Sequence, residues 1–238
     1  MRTLEDLKVK IFADGANKDE MIQMYNKPYI KGLTTNPTLM KGAGILDYRE
    51  FCKNMLTTIT EKPLSFEVFS DDFREMERQA TEISSWGDNV FVKIPITNTK
   101  REECFELVKK LSNQEVKINV TAIMTLDQVN SVANTINPDV PSYVSVFAGR
   151  IADTGVDPVP LMKEAVNILK IAPAAELIWA SPRELLNIFQ ADDVGCHIIT
   201  VTNDILKKLR LIGYDLDTYS LDTVKMFHRD AVAAGYRL

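Results

Sequence analysis

The sequence predicts an α/β fold in which eight parallel strands, each followed by a helix, close into a (β/α)8 TIM barrel with an additional C-terminal helix. Three observations predict it. Short β-branched apolar runs alternate with longer amphipathic stretches, and eight such units can be read in succession. The runs are nearly continuous in hydrophobicity, as parallel strands covered on both faces are. Each unit takes roughly 25–30 residues, so the chain of 238 residues approaches the ~250 typical of such a barrel. The same length would suit two small domains, but no linker or low-complexity segment divides the chain. Residues 1–238 are therefore read as one domain, with 218–238 as a C-terminal helical extension.

In order, the strands are expected near Val9–Ala13, Ile30–Thr34, Leu64–Phe69 and Val90–Ile94 in the first half of the chain. Those of the second half lie near Val116–Thr121, Tyr143–Phe147, Glu176–Ala180 and His197–Val201. Local signals place helices between them. Asp71-Asp72 sets acids at one helix N-terminus, and Asp157-Pro158 offers a cap residue before proline. Phe105, Val108 and Leu111 recur with the helical period. Lys41-Gly42-Ala43-Gly44 lacks the third glycine and the Gly-Lys-Ser/Thr ending of a phosphate loop, and reads as a loop leading into the helix after the second strand. Met21, Met24, Met55 and Met76 fall in helical segments and read as packing. The last stretch, Leu221–Leu238, reads as one more helix with Val224, Phe227 and Ala231 on one face, packing on the barrel or on a neighbouring subunit.

Composition narrows the function. The hydrophobic share of 45% and charged share of 26% are those of a soluble globular protein, and no apolar run approaches the ~20 residues of a membrane span. The opening Met1-Arg2-Thr3-Leu4-Glu5-Asp6 has early acids and no apolar core of a signal peptide, so a cytoplasmic location is expected. Cys52, Cys104 and Cys196 are widely spaced and form no C-x-x-C pair, which suits buried thiols in a reducing compartment. A net charge of −5 without a basic cluster argues against nucleic acid or an anionic membrane as partner. One small phosphorylated ligand remains compatible, because it needs only one or two arginines.

In this barrel the active site lies at the C-terminal ends of the strands, where polar residues stand out against an apolar background. Asp14 ends the first strand, Thr34-Thr35-Asn36 follows the second, Glu67 lies in the third and Lys93 in the fourth. Asn119 and Thr121 are two apart, hence on one face of the fifth. Ser145 and Arg150 come with the sixth, Ser181 and Arg183 with the seventh.

Lys93 is the most informative of these. Apolar strand neighbours impose a desolvation cost that favours the neutral amine, and a neutral lysine is a nucleophile. Attack on a ketone gives a carbinolamine and then an iminium ion, an electron sink that permits cleavage of the adjacent carbon–carbon bond. That chemistry calls for neither a metal nor a cofactor. It does call for proton transfer, for which Asp14 and Glu67 are the available carboxylates, acting through a water held by Thr121. The competing reading of Lys93 is a buried ion pair with Glu67. Asn36 and Asn119 suit a polyol, or else cap strand ends. Arg150 and Arg183 suit a terminal phosphate with Ser181 beside them, or else surface ion pairs. His197 and Cys196 read as core residues rather than metal ligands.

At these positions the chain resembles the transaldolase family, and the match runs in order through the barrel. Gly32-Leu33-Thr34-Thr35-Asn36-Pro37-Thr38-Leu39 is similar to the family signature G-x-T-T-N-P-[ST]-L, and Val92-Lys93-Ile94-Pro95 to the segment around its Schiff-base lysine. Asn119-Val120-Thr121, the run Ser145 to Asp153 (S-x-F-x-G-R-I-x-D) and Ala180-Ser181-Pro182-Arg183 complete the likeness. The resemblance implies a barrel enzyme in which Lys93 forms the Schiff base, Asp14 and Glu67 move protons and Thr121 orients a water. It also implies that Asn36, Asn119 and Ser145 contact a dihydroxyacetone unit, with Thr34 and Phe147 lining that part of the site, while Arg150, Ser181 and Arg183 hold phosphate.

The implied reaction transfers dihydroxyacetone from a ketose phosphate to an aldose phosphate, in the non-oxidative pentose phosphate branch. Related aldolases release free dihydroxyacetone. They tend to carry glutamine where this chain has Glu67 and tyrosine where it has Phe147, so both positions favour transfer. Gly15 stands where the short members usually have threonine, and Pro182 replaces an aromatic, changes that fit a divergent subgroup acting on another sugar. The C-terminal helix is similar to one that short members place between subunits, which implies a homo-oligomer.

Overall fold

The structure, a computed structural model, describes residues 2–238. The order is β1 (Lys10–Asp14), α1 (Lys18–Tyr25), β2 (Ile30–Thr34), α2 (Pro37–Gly42), α3 (Tyr48–Leu56), β3 (Leu64–Glu67), α4 (Phe73–Ser84), β4 (Val90–Pro95) and α5 (Phe105–Asn113). Then follow β5 (Ile118–Ile123), α6 (Leu126–Ala133), β6 (Ser142–Val146), α7 (Ala148–Asp153), α8 (Pro158–Ile168), β7 (Ala175–Trp179), α9 (Leu186–Asp193), β8 (Ile198–Thr202), α10 (Asn203–Leu206) and α11 (Leu216–Ala233). The eight strands pair in sequence order, and β1 pairs in parallel with β8 to close the barrel. The expected (β/α)8 fold is therefore the observed one.

Each strand sends alternate side chains inward and outward. Outward residues such as Leu33, Leu64, Phe66, Val92, Val120 and Trp179 are fully buried under the helices and form the larger core. Inward residues split by height. Phe12, Phe91, Tyr143, Ile178 and Ile198 fill one layer of the barrel, with Phe91 stacked on Tyr143 at 4.0 Å and Phe12 edge-on to Tyr143 at 5.7 Å. Gly32 makes room for this plug, because a Cβ there would lie 2.5 Å from the Phe12 ring. Nearer the strand C-termini the inward residues turn polar: Thr34, Ser65, Lys93, Asn119, Ser145 and Thr200 are all buried. The barrel interior is thus an apolar plug below a polar layer, the latter at the end where barrels of this kind place their active sites.

The caps follow the local sequence. Asp72 accepts from Glu75 N at 3.0 Å to start α4, and Asp157 accepts from Val159 N at 2.9 Å with Pro158 opening α8. The segment Lys41-Gly42-Ala43-Gly44 corrects an expectation. It is the end of α2 rather than a loop entering a helix: Lys41 and Gly42 lie in the last turn, Ala43 caps it, and Gly44 takes φ +72°. The third strand also stops earlier than expected, at Glu67. Phe69 N and Ser70 N donate to Gln79 Oε1 at 2.9 and 3.2 Å, so a side chain of α4 replaces a neighbouring strand there.

The last helix begins at Leu216, ahead of the expected start, because Asp215 accepts from Thr218 N at 2.8 Å. No residue of α11 is buried, and Leu221, Val224, Phe227 and Val232 are exposed. Packing on the barrel, one of the two expectations for this helix, is therefore not what the chain does. No helix among the described residues is long and apolar enough to cross a membrane. Cys52, Cys104 and Cys196 are free and buried, and Met21, Met55 and Met76 pack in the core as expected.

Candidate active site

A cavity of about 660 Å³ opens among the C-terminal ends of the strands. All twelve residues singled out in the sequence line it: Asp14, Thr34, Asn36, Glu67, Lys93, Asn119, Thr121, Ser145, Phe147, Arg150, Ser181 and Arg183. Period-2 alternation explains the convergence, since Asp14, Thr34, Glu67, Lys93, Asn119 and Ser145 are the inward residues next above the apolar plug. Register completes it. Glu67 is paired with Lys93, and Lys93 with Asn119, on adjoining strands.

Lys93 Nζ lies 3.0 Å from Glu67 Oε2 and donates to Thr35 O at 2.9 Å. The ion pair weighed as an alternative for Lys93 thus exists, but inside the cavity rather than away from it. Its members are nearly enclosed, with side chains 8% and 18% exposed. Asp14 Oδ1 accepts from the Thr34 hydroxyl at 2.8 Å, and that hydroxyl bonds in turn to Thr200. Burial pushes the Asp14 carboxyl above its ordinary 3.8, against the pull of Lys93 and the Thr34 hydrogen bond.

On the other side of Lys93, Ser145 Oγ donates to Asn119 Oδ1 at 2.7 Å and Asn119 Nδ2 donates to Ser65 Oγ at 3.2 Å. The network fixes which way the Asn119 amide points. Thr121 Oγ1 is buried without a hydrogen-bond partner, although it lines the cavity. Asn36 divides its side chain: Oδ1 caps α2 by accepting from Leu39 N at 2.9 Å, leaving the amide NH2 as the group able to face a ligand.

Toward solvent, Arg183 Nε donates to Asp153 Oδ1 at 2.9 Å and its Nη2 to the other oxygen, a bidentate pair that pulls the Asp153 carboxyl below its ordinary value. Arg150 lies 5.6 Å over the Phe147 ring. Ser181 holds φ +60°, a left-handed conformation costly for a non-glycine residue. Gly149 makes room for its carbonyl: a Cβ there would lie 1.5 Å from Ser181 O.

Three cavity residues of the last strand and the helix α10 that follows it, Thr200, Thr202 and Asp204, were not singled out in the sequence. The signal was present in Ile198-Ile199-Thr200-Val201-Thr202, where two polar side chains fall two apart as Asn119 and Thr121 do in the fifth strand. Threonine is at home in any strand, which hides it. Cys196 is buried, and His197 Nδ1 accepts from Leu177 N at 3.0 Å, a structural role. Among the described residues no group of three or more His, Cys, Asp or Glu is arranged to hold a metal.

Comparison with known proteins decides the family. The model of the transaldolase/fructose-6-phosphate aldolase family matches residues 11–237. The chain belongs to this family. Curated relatives include a probable transaldolase of Clostridium kluyveri, 36% identical over 202 residues, which covers 84% of this chain and 89% of the relative. A probable transaldolase of a Thermoanaerobacter species is 35% identical over 224 residues, 94% of this chain and 98% of its own length. One from Dehalococcoides mccartyi is 34% identical over 204 residues.

Proposed function

We propose that this chain is a transaldolase that transfers a dihydroxyacetone unit from a ketose phosphate, such as sedoheptulose 7-phosphate or fructose 6-phosphate, to an aldose phosphate. The observation that carries the reading is the enclosed Lys93–Glu67 pair, 3.0 Å apart, in the same cavity as Asp14 and two arginines.

An ammonium must lose a proton before it can attack a ketone, and Glu67 is within reach to take it. Attack of Nζ on the carbonyl carbon gives a carbinolamine. Loss of its hydroxyl as water, with a proton supplied from the Glu67 side through a water held by Thr121, gives the iminium ion. Asp14 then takes the proton of the hydroxyl on the far carbon of the bond that breaks, the carbon that becomes the aldehyde. The carbon–carbon electron pair moves into the iminium and an aldehyde leaves. A carboxyl whose affinity for protons is raised by burial suits a group that must hold that proton and return it to an incoming aldehyde. Asn36, Asn119 and Ser145 would bind the hydroxyls of the three-carbon unit, while Arg150, Ser181 and Arg183 would bind the phosphate.

An aldolase of the fructose-6-phosphate type is the second reading, because the matching family contains both. Phe147 favours transfer: a phenyl ring offers the enamine no proton, whereas a tyrosine hydroxyl would assist release. Product analysis separates the readings. With fructose 6-phosphate and erythrose 4-phosphate, a transaldolase forms sedoheptulose 7-phosphate faster than it releases dihydroxyacetone. Dominant release would make it an aldolase, and binding without turnover a sugar-phosphate binding protein. The same reading implies a cytoplasmic enzyme of carbohydrate metabolism and a homo-oligomer joined through the exposed apolar residues of α11.

A further inference from the structure

Tyr48, the first residue of α3, lies outside the cavity, yet its hydroxyl is tied to Glu67, one of the cavity's carboxylate residues. It accepts from Glu67 N at 2.8 Å and donates to Glu67 O at 2.7 Å. The reason lies in the sheet. The ladder between β2 and β3 runs only as far as Thr34 opposite Ser65, with Thr35 N donating to Ser65 O at 3.3 Å. Asn36-Pro37 then turns the chain away into α2. Glu67 keeps a neighbour on the β4 side, where Val68 N donates to Lys93 O at 3.0 Å. On the β2 side its N–H and C=O have lost theirs, and two unpaired backbone groups are costly.

One phenol hydroxyl restores both bonds, standing in for the missing strand residue. Burial pushes the Tyr48 phenol up, so it stays protonated and keeps its donor. The ring is seated edge-on against Phe69 at 5.2 Å, two residues beyond Glu67. The helix that carries it is fixed at its start by Asp47, which accepts from Glu50 N at 2.9 Å, and by Cys52 and Met55 buried in the core.

We propose that Tyr48 is a positioning residue for the reaction: its hydroxyl clamps the backbone of Glu67 where β2 ends, and so holds the Glu67 carboxylate against Lys93. The proposal rests on the reading of Lys93 and Glu67 as the reacting pair. Tyr48→Phe is the test, because it keeps the ring and the Phe69 contact and removes only the hydroxyl.

The expected result is a fall in kcat for transfer of about tenfold with KM within about twofold, since misplacing a proton-transfer group affects the chemical step more than binding. In a Glu67→Ala background the same change is expected to cost nothing further in kcat. An equal loss in both backgrounds, or a rise in KM at constant kcat, would make Tyr48 a merely structural residue. A crystal structure of Tyr48→Phe gives a readout that needs no turnover. The Glu67–Lys93 separation is expected to open beyond hydrogen-bonding range, and a contact still at 3.0 Å would overturn the proposal whatever the kinetics. An opened contact in a protein whose wild type turns over no sugar would keep the clamp and remove the transaldolase reading instead.

Discussion

Gly149→Ala offers a test whose magnitude follows from how closely Gly149 and Ser181 approach. A methyl at Gly149 would sit 1.5 Å from Ser181 O and 2.6 Å from Ser181 C, both backbone atoms, where real contacts are essentially never under 3.0 Å. One backbone must therefore retreat by about 1.5 Å, and no flexible side chain is there to absorb it. Ser181, already at φ +60°, is the weaker side, and Arg183 follows two residues later. Overpacking of this kind costs about 1–3 kcal/mol, which for a chain of this length lowers Tm by roughly 2–12 °C. A displacement above 1 Å in a positioning group costs on the order of 100-fold in kcat/KM. The assay is kcat/KM for a phosphorylated ketose beside a thermal melt. Borohydride trapping of unphosphorylated dihydroxyacetone on Lys93 should survive, because the damage lies at the arginine end. A variant with wild-type Tm and wild-type kcat/KM would refute the claim that this close approach builds the phosphate end of the site.

Further outcomes are expected elsewhere in the cavity. Asp14→Asn should stabilise the protein relative to wild type increasingly as pH rises. A raised carboxyl means the folded state binds the proton more tightly, so its contribution is full below the unfolded value of 3.8 and is lost as pH climbs through the higher folded value. Melts from acid to neutral pH check this, and a constant difference between the two proteins would contradict it. Arg183→Lys replaces a bidentate fork by a point charge and should raise KM for phosphorylated donors about tenfold, roughly 1.4 kcal/mol, with little change for free dihydroxyacetone. Phe147→Tyr should raise the ratio of dihydroxyacetone release to transfer several-fold, read from product analysis of a single reaction. Light scattering should find an assembly larger than one chain, and Val224→Glu with Phe227→Glu on α11 should reduce it to the monomer.

What the sequence made legible follows from where its signals are local. The barrel was visible because strand and helix periods alternate eight times, and the site because charged and amide residues contrast with apolar strands at Glu67, Lys93 and Asn119. Thr200 and Thr202 escaped since a threonine in a strand carries no contrast. The ends of β3 and α2 depend on tertiary partners, Gln79 in one case and the αL glycine Gly44 in the other, and propensity alone sets neither. Tyr48 was invisible for a deeper reason. Its role exists only because the β2–β3 ladder ends at Thr34, and no local pattern around Tyr48 encodes where another strand stops. Asp153 was read as part of a motif, while its pairing with Arg183, thirty residues on, is a fact of the fold.

The most direct test of the account is borohydride trapping with fructose 6-phosphate and sedoheptulose 7-phosphate, followed by peptide mass analysis. The account predicts a three-carbon adduct on Lys93 in the wild type and none in a folded Lys93→Met variant. A wild-type protein that gives no adduct with either sugar, or an adduct on a different lysine, would contradict it.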